Sequence, residues 1–127
     1  MPRILIIDDD AQVRAMLRLA LERDGHNAEE AENGKIGVGC YRERRHDLVL
    51  CDIFMPEQDG LETIRQLVAE FPSVAIIATS GSGRFAGMDP LVFAARFGAS
   101  ATLHKPFSLD ELRFAIAAVL DRPDIQI

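Results

Sequence analysis

Five short strand-like segments alternate with five segments of helical period, and this alternation restricts the architectures open to the chain. The strand-like segments fall at residues 3–7, 27–31, 48–51, 74–79 and 102–104. Two of them, Ile4-Leu5-Ile6-Ile7 and Leu48-Val49-Leu50-Cys51, are continuously apolar. A strand of that kind is buried on both faces. The run at 27–31 is weaker and suits an edge. Parallel neighbours need crossover connections, which helices supply. The pattern therefore predicts an α/β domain with a parallel sheet and helices on both faces. Length and strand count fit the flavodoxin-like doubly wound order 2-1-3-4-5, a (βα)5 fold.

The helical segments carry their own punctuation. Asp10 is placed to cap the first helix, whose inward stripe reads Val13, Met16, Leu17, Ala20 and Leu21. Arg14, Arg18, Glu22 and Arg23 fall on its other side, and Asp24-Gly25 stops it. Asn33-Gly34 opens a second helix over 35–45, with Ile36, Cys40 and Tyr41 facing inward. Gly37 and Gly39 within it cost about 1 kcal/mol each relative to Ala, so it is expected to be the least stable helix. Arg42, Glu43, Arg44 and Arg45 read as its solvated end. Leu61, Ile64, Leu67, Val68 and Phe71 line the third helix, and Pro72 ends it. The fourth runs from Asp89 or Pro90 to Phe97, before Gly98. Ser108-Leu109-Asp110-Glu111 is a capping box for a fifth helix that buries Leu109, Leu112, Ala115, Ile116, Val119 and Leu120.

Composition narrows the chemistry. The chain has 127 residues, enough for one domain with a substantial core. Twenty acidic residues against 14 basic ones give a net charge of −6. That balance argues against direct nucleic-acid binding and suits a site for a divalent cation. No apolar run reaches the roughly 18 residues of a membrane span, and Met1-Pro2-Arg3 shows no signal-peptide pattern. Cys40 and Cys51 lack metal or disulfide spacing, so a reduced thiol and a cytoplasmic setting are expected. His26, His46 and His104 lack ligand spacing and are assigned to solvent or turns. Phe85 and Met88 read as loop packing, with part of a partner surface as the alternative.

The sharpest signal is where the acids stand. Asp8 and Asp9 follow the first apolar run directly, and Asp52 follows the third. In the order 2-1-3-4-5 those two strand ends are neighbours at the switch point, where open α/β sheets place their ligands. Three carboxylates would then share one crevice. Two unit charges ~4 Å apart repel by about 4 kcal/mol at an effective dielectric of ~20, so something must offset them. A hard cation such as Mg²⁺ does so through oxygen ligands. Lys105, at the end of the fifth strand, reaches the same edge. Ser80, at the end of the fourth, adds a hydroxyl, with Thr79 and Ser82 as rivals. Acids, a metal, an ammonium and a hydroxyl are the parts for phosphoryl transfer. The natural nucleophile is a carboxylate, which would become an acyl phosphate.

The residues Ile6-Ile7-Asp8-Asp9, Asp52-x-x-Met55-Pro56-x-x-Asp59-Gly60, Thr79-Ser80-Gly81 and Lys105-Pro106-Phe107 stand in order at strand ends. In this the chain resembles the response-regulator receiver domain of two-component signalling, the CheY-like family. The resemblance runs from Arg3 to about Leu120, dividing the chain into a domain over 1–121 and a tail over 122–127. It implies that Asp52 is the phosphoacceptor. It implies that Asp9, Asp52 and the backbone carbonyl of Phe54 bind Mg²⁺, with Asp8 acting through a metal-bound water. Lys105 would pair with Asp52 and then with the phosphoryl oxygens, and Ser80 would be the switch hydroxyl. The implied donor is a sensor histidine kinase, a histidine phosphotransfer protein or a small acyl phosphate. The domain would catalyse only its own phosphorylation and dephosphorylation, and would not otherwise be an enzyme. The implied output is a downstream protein, reached through the face of helix four, strand five and helix five, with a phosphorylation-linked dimer as one form.

Two departures carry expectations. Thr102 stands where the family often has an aromatic, so the readout is expected to run through the loop from Gly81 to Gly87. The bulky Phe54 suggests a long-lived phosphoryl group. Rival readings are weaker. A phosphorylation-independent interaction module should have lost an acid or the lysine. A haloacid-dehalogenase-type phosphatase wants an acid where Phe54 stands. A nucleotide binder wants glycines where Asp8-Asp9-Asp10 stand.

Overall fold

The structure, a computed structural model, describes residues 1–55, 60–81 and 89–121. Pro56, Asp59, Ser82, Phe85, Met88 and the tail over 122–127 lie outside the described residues.

Ten elements alternate along the chain. They are β1 (Arg3–Ile7), α1 (Ala11–Arg23), β2 (Asn27–Ala31), α2 (Gly34–Arg44), β3 (Leu48–Asp52), α3 (Gly60–Glu70), β4 (Ile76–Ser80), α4 (Pro90–Arg96), β5 (Ala101–His104) and α5 (Leu109–Leu120). The sheet order is β2-β1-β3-β4-β5 and every pairing is parallel, as expected. No helix among the described residues is long and apolar enough to cross a membrane.

The two-residue period of the strands divides the core. Leu5, Ile7, Val49, Cys51, Ile76 and Ala78 face Val38, Tyr41, Ile64, Leu67, Leu91 and Ala94 from α2, α3 and α4. Ile4, Ile6, Leu48, Leu50 and Ile77 face Leu17, Leu21, Leu112, Ala115, Ile116 and Val119 from α1 and α5. Full burial stabilises each such aliphatic side chain by about 1.5–3 kcal/mol. The central strands are therefore the firmest part of the fold, and they carry the acids at their ends.

The caps form where the sequence puts them. Asp10 accepts from the N–H groups of Gln12 and Val13, Asn33 from Ile36 and Asp89 from Leu91. Ser108 and Glu111 close both halves of the capping box. Gly25 and Gly98 take φ of 89° and 116°, ending α1 and α4 in conformations that favour glycine.

Several sequence expectations need correction. Met16 is 66% exposed, because the contact stripe of α1 is narrower than its apolar stripe. Leu109 is likewise 48% exposed at the start of α5, and Ile36 is 42% exposed on α2. The buried face of α2 is instead Gly34, Gly37, Val38 and Tyr41, a stripe half made of glycine and so invisible to hydropathy. His46 is buried, with its Nε2 2.7 Å from Glu29 Oε1 and its ring stacked on Tyr41. The charge run is not merely solvated. Arg42 Nη2 donates to both carboxylate oxygens of Glu70 at 2.6 and 2.9 Å, and the Arg45 guanidinium lies 4.1 Å from the Phe71 ring centroid. Together they fasten the end of α2 to the end of α3. Strand β4 starts two residues later than expected, and β3 runs one residue further, to include Asp52.

The two helix glycines separate on packing grounds. A Cβ on Gly37 would overlap Ile7, whose Cγ1 would lie 2.7 Å away, whereas one on Gly39 meets nothing within 4 Å. Gly39→Ala is therefore expected to raise unfolding stability by up to about 1 kcal/mol through helix propensity. Gly37→Ala is expected to lower it by about 1–3 kcal/mol through overpacking. Urea denaturation of both variants checks this; equal effects at the two sites would contradict it.

Candidate functional site

The site sits at the carboxyl edge of the sheet, and the register of β1 and β3 builds it. Ile7 pairs with Cys51, so the next residue on each strand, Asp8 and Asp52, stand side by side. The Asp8 N–H still donates to Ala31 O at 3.1 Å, which extends the β1 ladder as far as the acid. Asp8 and Asp52 are only 2% and 6% exposed, while Asp9 is exposed. One carboxylate oxygen from each of Asp8, Asp9 and Asp52 lies within 4.8 Å of the others.

Each acid is held by local donors. Asp8 Oδ1 accepts the Asp10 N–H at 2.9 Å, and Asp52 Oδ1 accepts the Phe54 N–H at 3.3 Å. Lys105 follows β5, its N–H bonded to Ser80 O at 2.8 Å. Its ammonium lies 3.0 Å from Asp8 Oδ2 and 3.8 Å from Asp52 Oδ2. The lysine thus spans both buried acids and is closer to Asp8, where the resemblance pairs it with Asp52. Ser80 ends β4 and is buried; Thr79 is the register partner of Asp52 and is also buried. Phe54 is half-buried, its ring packed against the core on the α2–α3–α4 side.

One glycine makes room for this arrangement, and a second lies in ordinary contact distance of it. A Cβ on Gly60 would run into the Asp52 carbonyl and Ile53 Cα, so the start of α3 lies directly against the end of β3. A Cβ on Gly81 would touch the Lys105 stem at 3.4 Å. Sequence reasoning missed Arg14, which it placed on the solvent side of α1. Its side chain is only 15% exposed, and Nη1 donates to the Asp8 carbonyl at 2.7 Å. Hydropathy carries no signal for a half-buried arginine on the flank of a helix.

The charge is unbalanced. Three carboxylates face one ammonium. Burial pushes the Asp52 carboxyl up to about 6; Lys105 pulls it down, Asp8 raises it, the Phe54 N–H lowers it and Asp9 adds a smaller push upward. Oxygen donors this close, with a surplus of negative charge, fit a hard divalent cation.

A family model described as the response regulator receiver domain matches residues 4–117. The chain belongs to the response regulator receiver domain family. The response regulator MprA of Mycolicibacterium vanbaalenii is 39% identical over 124 residues, covering 94% of this chain and 51% of that protein. The transcriptional regulatory protein ResD of Bacillus subtilis is 36% identical over 120 residues, covering 94% and 48%. The chain thus spans about half the length of these curated relatives. A receiver domain protein from Clostridium thermocellum superposes with a TM-score of 0.89 at 28% identity, covering 96% of both chains. A CheY-like receiver domain protein from Methanospirillum hungatei gives 0.87 at 28% identity, covering 95% and 94%. This receiver domain is therefore of the kind found in two-component response regulators.

The raised Asp52 pKa makes the receiver's stability depend on pH. The folded state holds this proton more tightly than the unfolded chain. Stability therefore falls as pH rises from about 4 through about 6, then levels, at a cost on the order of 2–3 kcal/mol. Asp52→Asn removes that cost. In chelator, the variant is expected to match wild type near pH 4 and to exceed it by about 2 kcal/mol above pH 7. Urea melts across that range check this, and a gap that does not change with pH would contradict it.

Proposed function

We propose that this receiver domain is a phosphorylation-dependent switch or relay, modified on Asp52. The carrying observation is the convergence of Asp8, Asp9 and Asp52 within 4.8 Å, spanned by Lys105. The donor is a phosphohistidine on a sensor kinase or phosphotransfer protein, or a small acyl phosphate. An Asp52 carboxylate oxygen attacks the phosphorus. The bond to the donor nitrogen or acyl oxygen breaks, and that atom leaves with the electron pair. Hydrolysis reverses the gain: water attacks the phosphorus and the Asp52 carboxylate is released. The domain acts in this way only on itself.

Asp9, Asp52 and the Phe54 carbonyl would hold Mg²⁺, with Asp8 contributing through a bound water. The cation would supply charge neutralisation for the phosphoryl oxygens. The rest falls to this chain's own groups. Lys105 sits between two acids in the resting state, so its ammonium need travel little to reach a phosphoryl oxygen on Asp52. Ser80, buried at the end of β4, is the hydroxyl that turns to the phosphoryl group. That group brings about two negative charges and three acceptor oxygens, which can be satisfied only if the edge rearranges. The surface that reads the change is the α4–β5–α5 face, where Val92 and Phe114 are 43% and 77% exposed and Thr102 is also exposed. The output partner docks there. The functional unit is residues 1–121.

Intact-mass measurement after incubation with acetyl phosphate and Mg²⁺ tests the chemistry. Wild type is expected to gain one phosphoryl group, Asp52→Asn none, and chelator is expected to abolish the gain. Modification of the Asp52→Asn protein would sink the assignment.

A further inference from the structure

Arg14 joins three elements at one point. Its Nη1 donates to the Asp8 carbonyl at 2.7 Å, and its Nε donates to Glu30 Oε1 on β2 at 3.0 Å. The other Glu30 oxygen accepts from Arg18 Nη1 at 3.2 Å, and Arg18 Nε reaches Glu22 at 3.1 Å. The guanidinium is therefore anchored before it touches β1. Asp8 is the first residue past the end of β1, and the arginine takes its carbonyl.

We propose that Arg14 is the positioning residue of the acidic cluster, setting through the Asp8–Asp9 peptide where these two acids present their carboxylates to a divalent cation. The inference rests on the reading of Asp8, Asp9 and Asp52 as a metal pocket. A peptide unit is planar, so fixing the Asp8 carbonyl also fixes the direction of the Asp9 N–H and Cα. This matters most for Asp9. Asp8 is already held by Ala31 O, the Asp10 N–H and Lys105, whereas Asp9 is the exposed member of the trio. Groups that orient metal-ligating side chains typically contribute 10–100-fold to metal affinity.

Charge alone predicts the opposite sign. A cation beside the pocket repels a second cation, so an arginine acting only by its charge would weaken metal binding. Glu30 sits on the guanidinium and offsets that charge locally, leaving the hydrogen-bond geometry as the working feature. Lysine at this position keeps the charge but loses the planar fork that joins two acceptors at once.

The test is calorimetric titration of Mg²⁺ into wild type, Arg14→Lys, Glu30→Gln and Arg113→Gln, with a urea melt of each in chelator. Arg113 pairs with Asp24 at 2.8 Å, away from the acids, and controls for the loss of an ion pair. Arg14→Lys is expected to bind Mg²⁺ about 10-fold more weakly, with Glu30→Gln shifted the same way by less. Arg113→Gln is expected to keep wild-type affinity at similarly reduced stability. Should Arg14→Lys fail to fold, Arg14→Gln in the same titration carries the comparison, because loss of the charge alone would tighten Mg²⁺ binding whereas loss of the fork weakens it. Wild-type affinity in both Arg14→Lys and Glu30→Gln overturns the proposal, as does an equal loss in Arg113→Gln. No Mg²⁺ uptake by wild type would instead remove the metal pocket, and the proposal with it.

Discussion

Asp8 and Asp52 are held side by side out of water, and their mutual repulsion is the constraint to which the carboxyl edge of the sheet answers. Burial and the neighbouring acids make the charged form of Asp52 costly. The fold accepts that cost because β1 and β3 are locked by aliphatic residues that are almost fully buried on both faces. The ammonium of Lys105, brought across from β5, offsets it in part, with a smaller contribution from the Phe54 N–H. A site left short of positive charge in this way favours any ligand that brings a divalent cation.

The surrounding residues act on geometry more than on charge. Gly60 lets the first turn of α3 lie against the Asp52 carbonyl, and the Lys105 N–H, bonded to Ser80 O, ties the end of β5 to the end of β4. Arg14 holds the peptide between Asp8 and Asp9, just past β1, from the α1 side. Each belongs to a different helix or connection, so the pocket is a meeting point of α1, α3 and the β4 and β5 ends. Were Asp52 phosphorylated as proposed, the change would reach all of them at once.

Much of this was legible in the residues. Continuous apolar runs gave β1 and β3, and their flanking helices gave parallel order. Topology then brought Asp8, Asp9 and Asp52 together without any knowledge of side-chain positions. What escaped was of two kinds. Met16, Leu109 and Ile36 are apolar residues at helical spacing that nonetheless face outward, because a helix packed on a sheet buries a narrower stripe than its sequence offers. Arg14, His46 and Gly37 are the reverse: a half-buried arginine, a buried histidine and a buried glycine, whose partners Asp8, Glu29 and Ile7 lie far off in sequence or on another element. Hydropathy cannot see a position defined by a hydrogen bond or by the absence of a Cβ. The nearness of Lys105 to Asp8 likewise depends on how far a flexible chain reaches across two strands.

The account stands most directly on amide chemical shifts recorded while Mg²⁺ is titrated into the unphosphorylated protein. It predicts saturable shifts concentrated at Asp8, Asp9, Asp52, Phe54 and Lys105, and their loss when Asp9 and Asp52 are both replaced by Asn. Shifts that never saturate, or that centre on residues away from the carboxyl edge of the sheet, would contradict it.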